Sequence, residues 1–300
     1  MNNIDNLDNL NSNTQNVASS LKDKTSNFIS NIPFCIKTLL GINILFYIFS
    51  FSITFSFYLS NIPYYTIFKF QIWRLITANL LSTGLLNIIF TIFFWLPQSM
   101  NLERSIGTVR YMINFFVNSI FIQLLYDLFL LIFSIFNSSI LLKKIYYDKN
   151  NNMEYIESDG LWPYIMMEMT ILCLANPENE MNILCFSYPI KSKYYPLILF
   201  VILTVCNFTI KFDLIAGIVY GCIYVYYLRN YLDFDEQTIE KIEGSFLFNY
   251  TKNYPSFVKK SNVDASLLLG NDMNNINNYN EINYNGMKEL NTGKGNSTQI

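Results

Sequence analysis

Apolar positions along the chain fall into long blocks separated by short polar stretches. Residues 34–58 carry a single charge, Lys37; at about 1.5 Å per helical residue such a block can span a hydrocarbon core of about 30 Å. Residues 76–96 are uncharged, and 111–136 are interrupted only by Asp127. After a polar, charged loop come shorter blocks at 161–174, 194–208 and 214–232, with Glu168 inside the first of these. Helices enclosed in a bundle can be shorter and more polar than lipid-facing ones. The pattern therefore predicts an all-α, polytopic membrane protein with a six-helix transmembrane bundle over residues 33–232. Residues 1–32 are rich in Asn and Ser, nearly free of aromatic side chains, and bury too little surface to fold alone. Residues 233–300 read as a tail: one short helix in the mixed-charge stretch 233–243, then Asn-rich disorder.

Composition narrows the chemistry. Hydrophobic residues make up 52% and charged ones 14%, well below the roughly 25% charge of a soluble domain. There is no His, which excludes Ser-His and Cys-His catalysis, His-ligated zinc and His-axial haem. A net charge of -2 supplies no field for nucleic acid. The five Cys contain no CxxC; four lie in apolar blocks, where thiols behave as small hydrophobes. No cofactor or metal is expected. Lys and Arg flanking the blocks divide nine to six in favour of the side bearing the ends, which predicts cytoplasmic termini.

Four short segments, in order, add a family resemblance. The first is Phe70-Gln71-Ile72-Trp73-Arg74-Leu75-Ile76-Thr77. Its Trp73-Arg74 pair suits a membrane boundary, where indole favours the headgroup layer and guanidinium binds lipid phosphates. The second is Leu102-Glu103-Arg104-Ser105-Ile106-Gly107-Thr108-Val109-Arg110, in which Glu103, Arg104 and Arg110 can satisfy one another beside a helix end. The third, Gly217-Ile218-Val219-Tyr220-Gly221, is a GxxxG that permits close helix packing. The fourth is Asn176-Pro177 with Tyr194-Tyr195-Pro196-Leu197. Together they resemble the rhomboid-like superfamily of intramembrane proteins over residues 60–232. The Trp-Arg and last-block segments lean to Derlins, the Leu-Glu-Arg…Gly-Thr segment to rhomboids proper.

The resemblance implies a rhomboid-like fold without its protease chemistry. Where a rhomboid protease has Gly-x-Ser-Gly, this chain has Glu157-Ser158-Asp159-Gly160, so the nucleophile position falls on Asp159, with Ser158 one residue early. The position of the catalytic His falls on Leu214, and the oxyanion-side positions fall on Asn87 and Thr91. A serine without a general base is a poor nucleophile. The expected protein is a pseudoprotease that binds transmembrane or misfolded clients in the endoplasmic reticulum for quality control, retrotranslocation or trafficking. Asp127 and Glu168 are candidates for a client cavity, since intramembrane carboxylates cost about 2.5–3.5 kcal/mol on insertion scales. The competing expectation is an intramembrane protease using Asp127 with Asp159, or Ser158 with an unusual base. Membrane lipids are expected partners. So is the cytosolic membrane-extraction AAA ATPase, because Tyr284-Asn285-Gly286-Met287-Lys288-Glu289-Leu290 resembles the short motif by which some Derlins recruit it. Asn137, Asn249 and Asn296 fit N-x-[ST], and only Asn137 would face away from the cytoplasm.

Overall fold

A computed structural model describes residues 26–136 and 157–259, apart from 27, 184–185, 208–210, 229–231, 233–235, 246–247 and 249. The tail motif at 284–290 and the sequons at Asn137, Asn249 and Asn296 lie outside the described residues, as do residues 1–25. Helices α1 (Phe34–Ser50) and α2 (Ile53–Leu59) together make the first apolar block, with a break at Phe51 and Ser52. The second block is broken. Helix α3 (Arg74–Leu80) ends at an extended Leu81, and α4 (Leu85–Phe90) starts after an extended Gly84. From α4 the helix runs on through a π-helical turn, Thr91–Trp95, into α5 (Leu96–Ile106). Gly107 then separates α5 from α6 (Thr108–Phe136) at φ 88°, a conformation that side chains rarely adopt.

Helix α6 packs against α7 (Trp162–Ala175) and α9 (Phe212–Ile223), while α8 (Tyr195–Asn207) lies on α7 and α9. A two-stranded antiparallel hairpin, β1 (Glu180–Ile183) and β2 (Phe186–Lys191), fills the loop between α7 and α8. Each of the six apolar blocks contains helix, as the periodicity predicts. By length and composition, one helix among the described residues suffices to cross a membrane, Thr108–Ile135. The others are shorter, and the second block is unwound at residues 81–84 instead of continuous.

The tightest contact follows from the glycines. A Cβ on Gly217 would lie 2.2 Å from the Pro163 carbonyl oxygen, and one on Gly221 would lie 2.8 Å from the Thr170 side chain. Helices α7 and α9 therefore touch backbone to backbone, as the GxxxG spacing predicts. The core around them is apolar, built on Trp95, Tyr111, Phe115, Tyr164 and Leu214.

The packed structure continues past residue 232. After α10 (Glu236–Gly244), Phe248 and Phe257 bury themselves with Ile239 against Val109. The Phe34 N–H donates to the Ser256 carbonyl at 2.9 Å and the Thr108 N–H to the Val258 carbonyl at 3.1 Å. These are first-residue donors of α1 and α6, which no intrahelical acceptor can reach. The short helix in the tail is thus present as expected, but the segment after it is a strap that caps two helices. The apolar residues of 246–257 follow neither a helical nor a strand period, so the sequence shows apolar content there without announcing such a role.

Candidate functional site

A polar network occupies one end of the bundle, between α2, α3, α6, α7 and α9. Asn61 follows α2 and exchanges two main-chain hydrogen bonds of 3.0 Å with Ser158, just before α7. Its side-chain amide donates to Asp127 Oδ1 and to Gln123 Oε1, both at 2.9 Å, while its Oδ1 accepts from Thr66 Oγ1 at 2.5 Å. Gln123 and Asp127 stand four residues apart on α6 and so share a face. Gln123 Nε2 donates onward to Asn79 Oδ1 at 2.8 Å and to Ser158 Oγ at 3.1 Å. Ser158 Oγ in turn donates to Asp213 Oδ2 at 3.3 Å, and Asp213 Oδ1 accepts the Leu214 N–H at 2.9 Å. Asn61, Asn79, Gln123, Asp127, Ser158 and Asp213 are all buried.

The loop that carries Ser158 is held by its backbone. Gly160, at φ 89°, turns the chain into α7 and donates its N–H to the Ala78 carbonyl at 2.9 Å. Asp159 points elsewhere: it accepts a hydrogen bond from Thr83 Oγ1 and lies 3.9 Å from Lys211 Nζ. Between Asp159 and Leu214, the positions that the resemblance singles out, no hydrogen bond is made among the described residues. Their predecessors, Ser158 and Asp213, make one. Asn87 is half-buried on α4, and Thr91 is buried in the π-helical turn.

Asp127 and Glu168 belong to separate networks. Glu168 on α7 accepts from Ser99 Oγ at 2.8 Å and from the Tyr111 hydroxyl at 3.1 Å, so both its oxygens are engaged. Tyr111 and Asp127 stand sixteen residues apart on α6, about 24 Å along the axis. A single cavity lined by both carboxylates is not what the fold builds. Glu168 reads as a satisfied buried acceptor. On Asp127, Oδ2 makes no hydrogen bond among the described residues. The Asn61, Ser99 and Tyr111 partners come from distant segments, and no local spacing pointed to them.

The two motif segments make contacts inside the bundle. Arg74 is completely buried and does not reach lipid phosphates. It donates to the Phe57 carbonyl at 2.6 Å, the Ser60 carbonyl at 2.5 Å and Gln71 Oε1 at 2.7 Å, and its guanidinium lies over the Phe57 and Tyr65 rings. Trp73 is half exposed, with its indole N–H 3.4 Å from the Tyr58 carbonyl. Beside it Phe68, Phe70 and Ile72 project from the loop. Glu103 is fully buried and accepts the Cys35 and Ile36 N–H groups, each at 2.9 Å, and Thr108 Oγ1 at 2.7 Å. Burial pushes its carboxyl above the ordinary range, and those hydrogen bonds work against the shift. Arg104 donates to the Asn31 carbonyl at 2.7 Å and its charge also favours the Glu103 carboxylate, and Arg110 is buried. Among the described residues no group of three or more acidic or thiol side chains could hold a metal ion.

A family model described as "Eukaryotic integral membrane protein (DUF1751)" matches residues 37–263 of the chain. That range takes in the bundle, apart from the first three residues of α1, and the strap. No curated protein matches the chain.

Proposed function

We propose that this chain, which belongs to the eukaryotic integral membrane protein family (DUF1751), is a non-catalytic rhomboid-like membrane protein of the Derlin type. In this reading it binds transmembrane or misfolded clients in the endoplasmic reticulum for quality control, retrotranslocation or trafficking. Six spans, on the same reading, would put both termini on one side, and the nine-to-six division of Lys and Arg assigns that side to the cytoplasm. The observation that carries the reading is the polar network from Asn61 to Asp213, buried inside an apolar bundle. Such groups are expensive at membrane depth and persist where a bundle has polar work to do. The absence of His from the whole chain supports recognition as that work, not acyl transfer. Reconstitution of the full chain in liposomes with a single-span substrate tests it: the substrate should associate and remain intact. Association should fall on Asp127→Leu, whose expression serves as the folding control. Unchanged association would overturn the role given to the network, and cleavage would overturn the non-catalytic reading.

One observation favours a second reading, an intramembrane protease with non-canonical chemistry. Ser158 Oγ lies 3.3 Å from Asp213 Oδ2, a carboxylate placed where a general base would stand. Proteolysis that disappears on Ser158→Ala and on Asp213→Asn would establish it. A lack of both proteolysis and Ser158 labelling by a fluorophosphonate would dismiss it.

A further inference from the structure

The strap turns two kinds of aromatic residue in opposite directions. Phe248 and Phe257 are buried on Val109, whereas Tyr250 is 77% and Tyr254 46% exposed. The two tyrosine rings meet edge to face at 6.1 Å, and Tyr254 lies 5.8 Å from the Phe34 ring at the start of α1. Residues 245–259 carry Lys252 and Lys259 and no acidic side chain; Glu236, Glu240 and Glu243 all stand earlier, on α10. Among the described residues neither lysine forms an ion pair. Lys37 and Arg104 are exposed at the same end of the bundle, as are Phe28 and Ile29 just before α1.

The depth of this face follows from α6. Its 28 residues Thr108–Ile135 are long and apolar enough to cross a membrane. At about 1.5 Å each they measure about 42 Å, or about 39 Å at a tilt of about 20°. The hydrocarbon core is about 30 Å thick, and about 40–45 Å with both headgroup layers. Centred in the bilayer, the helix therefore begins among headgroups. Thr108 is also where the strap is fixed: its N–H donates to the Val258 carbonyl at 3.1 Å, and its Oγ1 accepts the Val258 N–H at 3.0 Å. The Phe34 N–H bond to Ser256 sets the same level on α1. Further along α1, Ile44, Leu45 and Ile48 are exposed, so the face adjoins a surface suited to acyl chains.

We infer that the outer face of the strap, formed by Tyr250, Lys252, Tyr254 and Lys259, binds the headgroups of anionic phospholipids in the leaflet at that end of the bundle. Position selects the occupant. A soluble protein would have to enter the headgroup layer to reach these side chains, and lipid is already there. The chemistry agrees: a tyrosine sets an apolar ring and a hydroxyl at the boundary, and an unpaired ammonium group takes a phosphate. On the topology proposed above this is the cytoplasmic leaflet, where anionic lipids are concentrated. The strap thus reads lipid composition on its outer side while its phenylalanines hold the bundle, a property that goes beyond client binding.

The test uses the full chain in liposomes of equimolar phosphatidylcholine and phosphatidylserine with matched acyl chains. A benzophenone amino acid replaces Tyr250, one exposed aromatic for another, and its photo-adducts are identified by mass spectrometry. The expected adducts are lipids, with phosphatidylserine favoured about fivefold, the factor that one lysine near an anionic surface contributes. In the Lys252→Gln, Lys259→Gln double variant that preference should disappear at an unchanged unfolding midpoint, because Phe248 and Phe257 are untouched. Added salt should erode the preference in the otherwise unaltered chain, a measurement that needs no substitution of the lysines. Equal adducts of the two lipids at low salt would overturn the inference. Cross-linked dimers in place of lipid adducts would assign the face to a second copy and overturn it too, as would adducts confined to the chain itself. None of these results bears on client binding, which is tested separately.

Discussion

Glu103 shows what a buried carboxylate does in this bundle. It serves three donors, the Cys35 and Ile36 N–H groups and the Thr108 hydroxyl. The two amides open α1 and would otherwise be orphaned, and a negative charge also suits that end of the helix. Glu103→Ala should cost on the order of 3 kcal/mol, since each donor loses its partner in a buried setting. Glu103→Gln keeps an acceptor oxygen and should cost less than half as much. Unfolding midpoints in mixed micelles titrated with dodecyl sulfate separate the two variants. Arg74 makes the companion case: Arg74→Lys cannot reach two carbonyls and Gln71 together and should destabilise by about 1–3 kcal/mol. The motif spacing identified both residues before any coordinates did. It did not identify their partners. Cys35 lies 68 positions from Glu103, and a sequence pattern carries no information about which distant amide a carboxylate will meet. The same holds for Asp127 and Asn61, 66 positions apart.

At the scale of elements, the glycines separate packing from propensity. Gly217 sits where a Cβ would come within 2.2 Å of the Pro163 carbonyl oxygen, a backbone atom that cannot swing aside. Gly217→Ala should therefore force α7 and α9 apart and lose about 3 kcal/mol or more. Gly41 has nothing within 4 Å of the same hypothetical atom and lies inside α1. Gly41→Ala should be neutral or stabilise by up to about 1 kcal/mol. The same unfolding titration reads both, and a comparable loss at the two sites would refute the packing account. The hairpin yields a pH prediction. Hydrogen bonds from Lys191 and Lys193 hold the Glu178 carboxyl down to about 2. A depressed value means that the contribution is present above the ordinary carboxylate range and fades as pH falls toward 2. Amide exchange in β2 should rise only in that acid window, and at neutral pH it should rise in Glu178→Gln. Helices were legible here because apolar blocks of a dozen or more residues leave few alternatives. The hairpin was not, since four- and six-residue strands in a charged loop have too little pattern. Nor was the unwound stretch at 81–84, where Ser82, Thr83 and Gly84 interrupt an uncharged block too briefly to divide it by pattern alone.

For the whole molecule, the question is where the folded unit ends. Apolar patterning stops at residue 232, yet the family match runs to residue 263 and the strap packs as far as Val258. The difference has a physical cause. A block must be long to cross a bilayer, but a strap needs only anchors: Ile239, Phe248 and Phe257 on Val109, with main-chain bonds to Phe34 and Thr108. Each buried side chain contributes about 1.5–3 kcal/mol, so the strap holds α1 to α6 with several kcal/mol. Its bonds also occupy helix-end donors that the rest of the fold leaves open. Two truncations measure this. Ending the chain at residue 260 keeps every strap contact made among the described residues and should leave the unfolding midpoint unchanged. Ending it at residue 232 removes the strap, exposes Val109 and Ile113, and should lower the midpoint by several kcal/mol with earlier proteolysis near α1. A Phe248→Ala, Phe257→Ala double variant in the full chain should reproduce most of that loss, which ties it to the two anchors rather than to chain length. Equal stability of the two truncated chains would return the boundary to residue 232 and make the strap a passive tail.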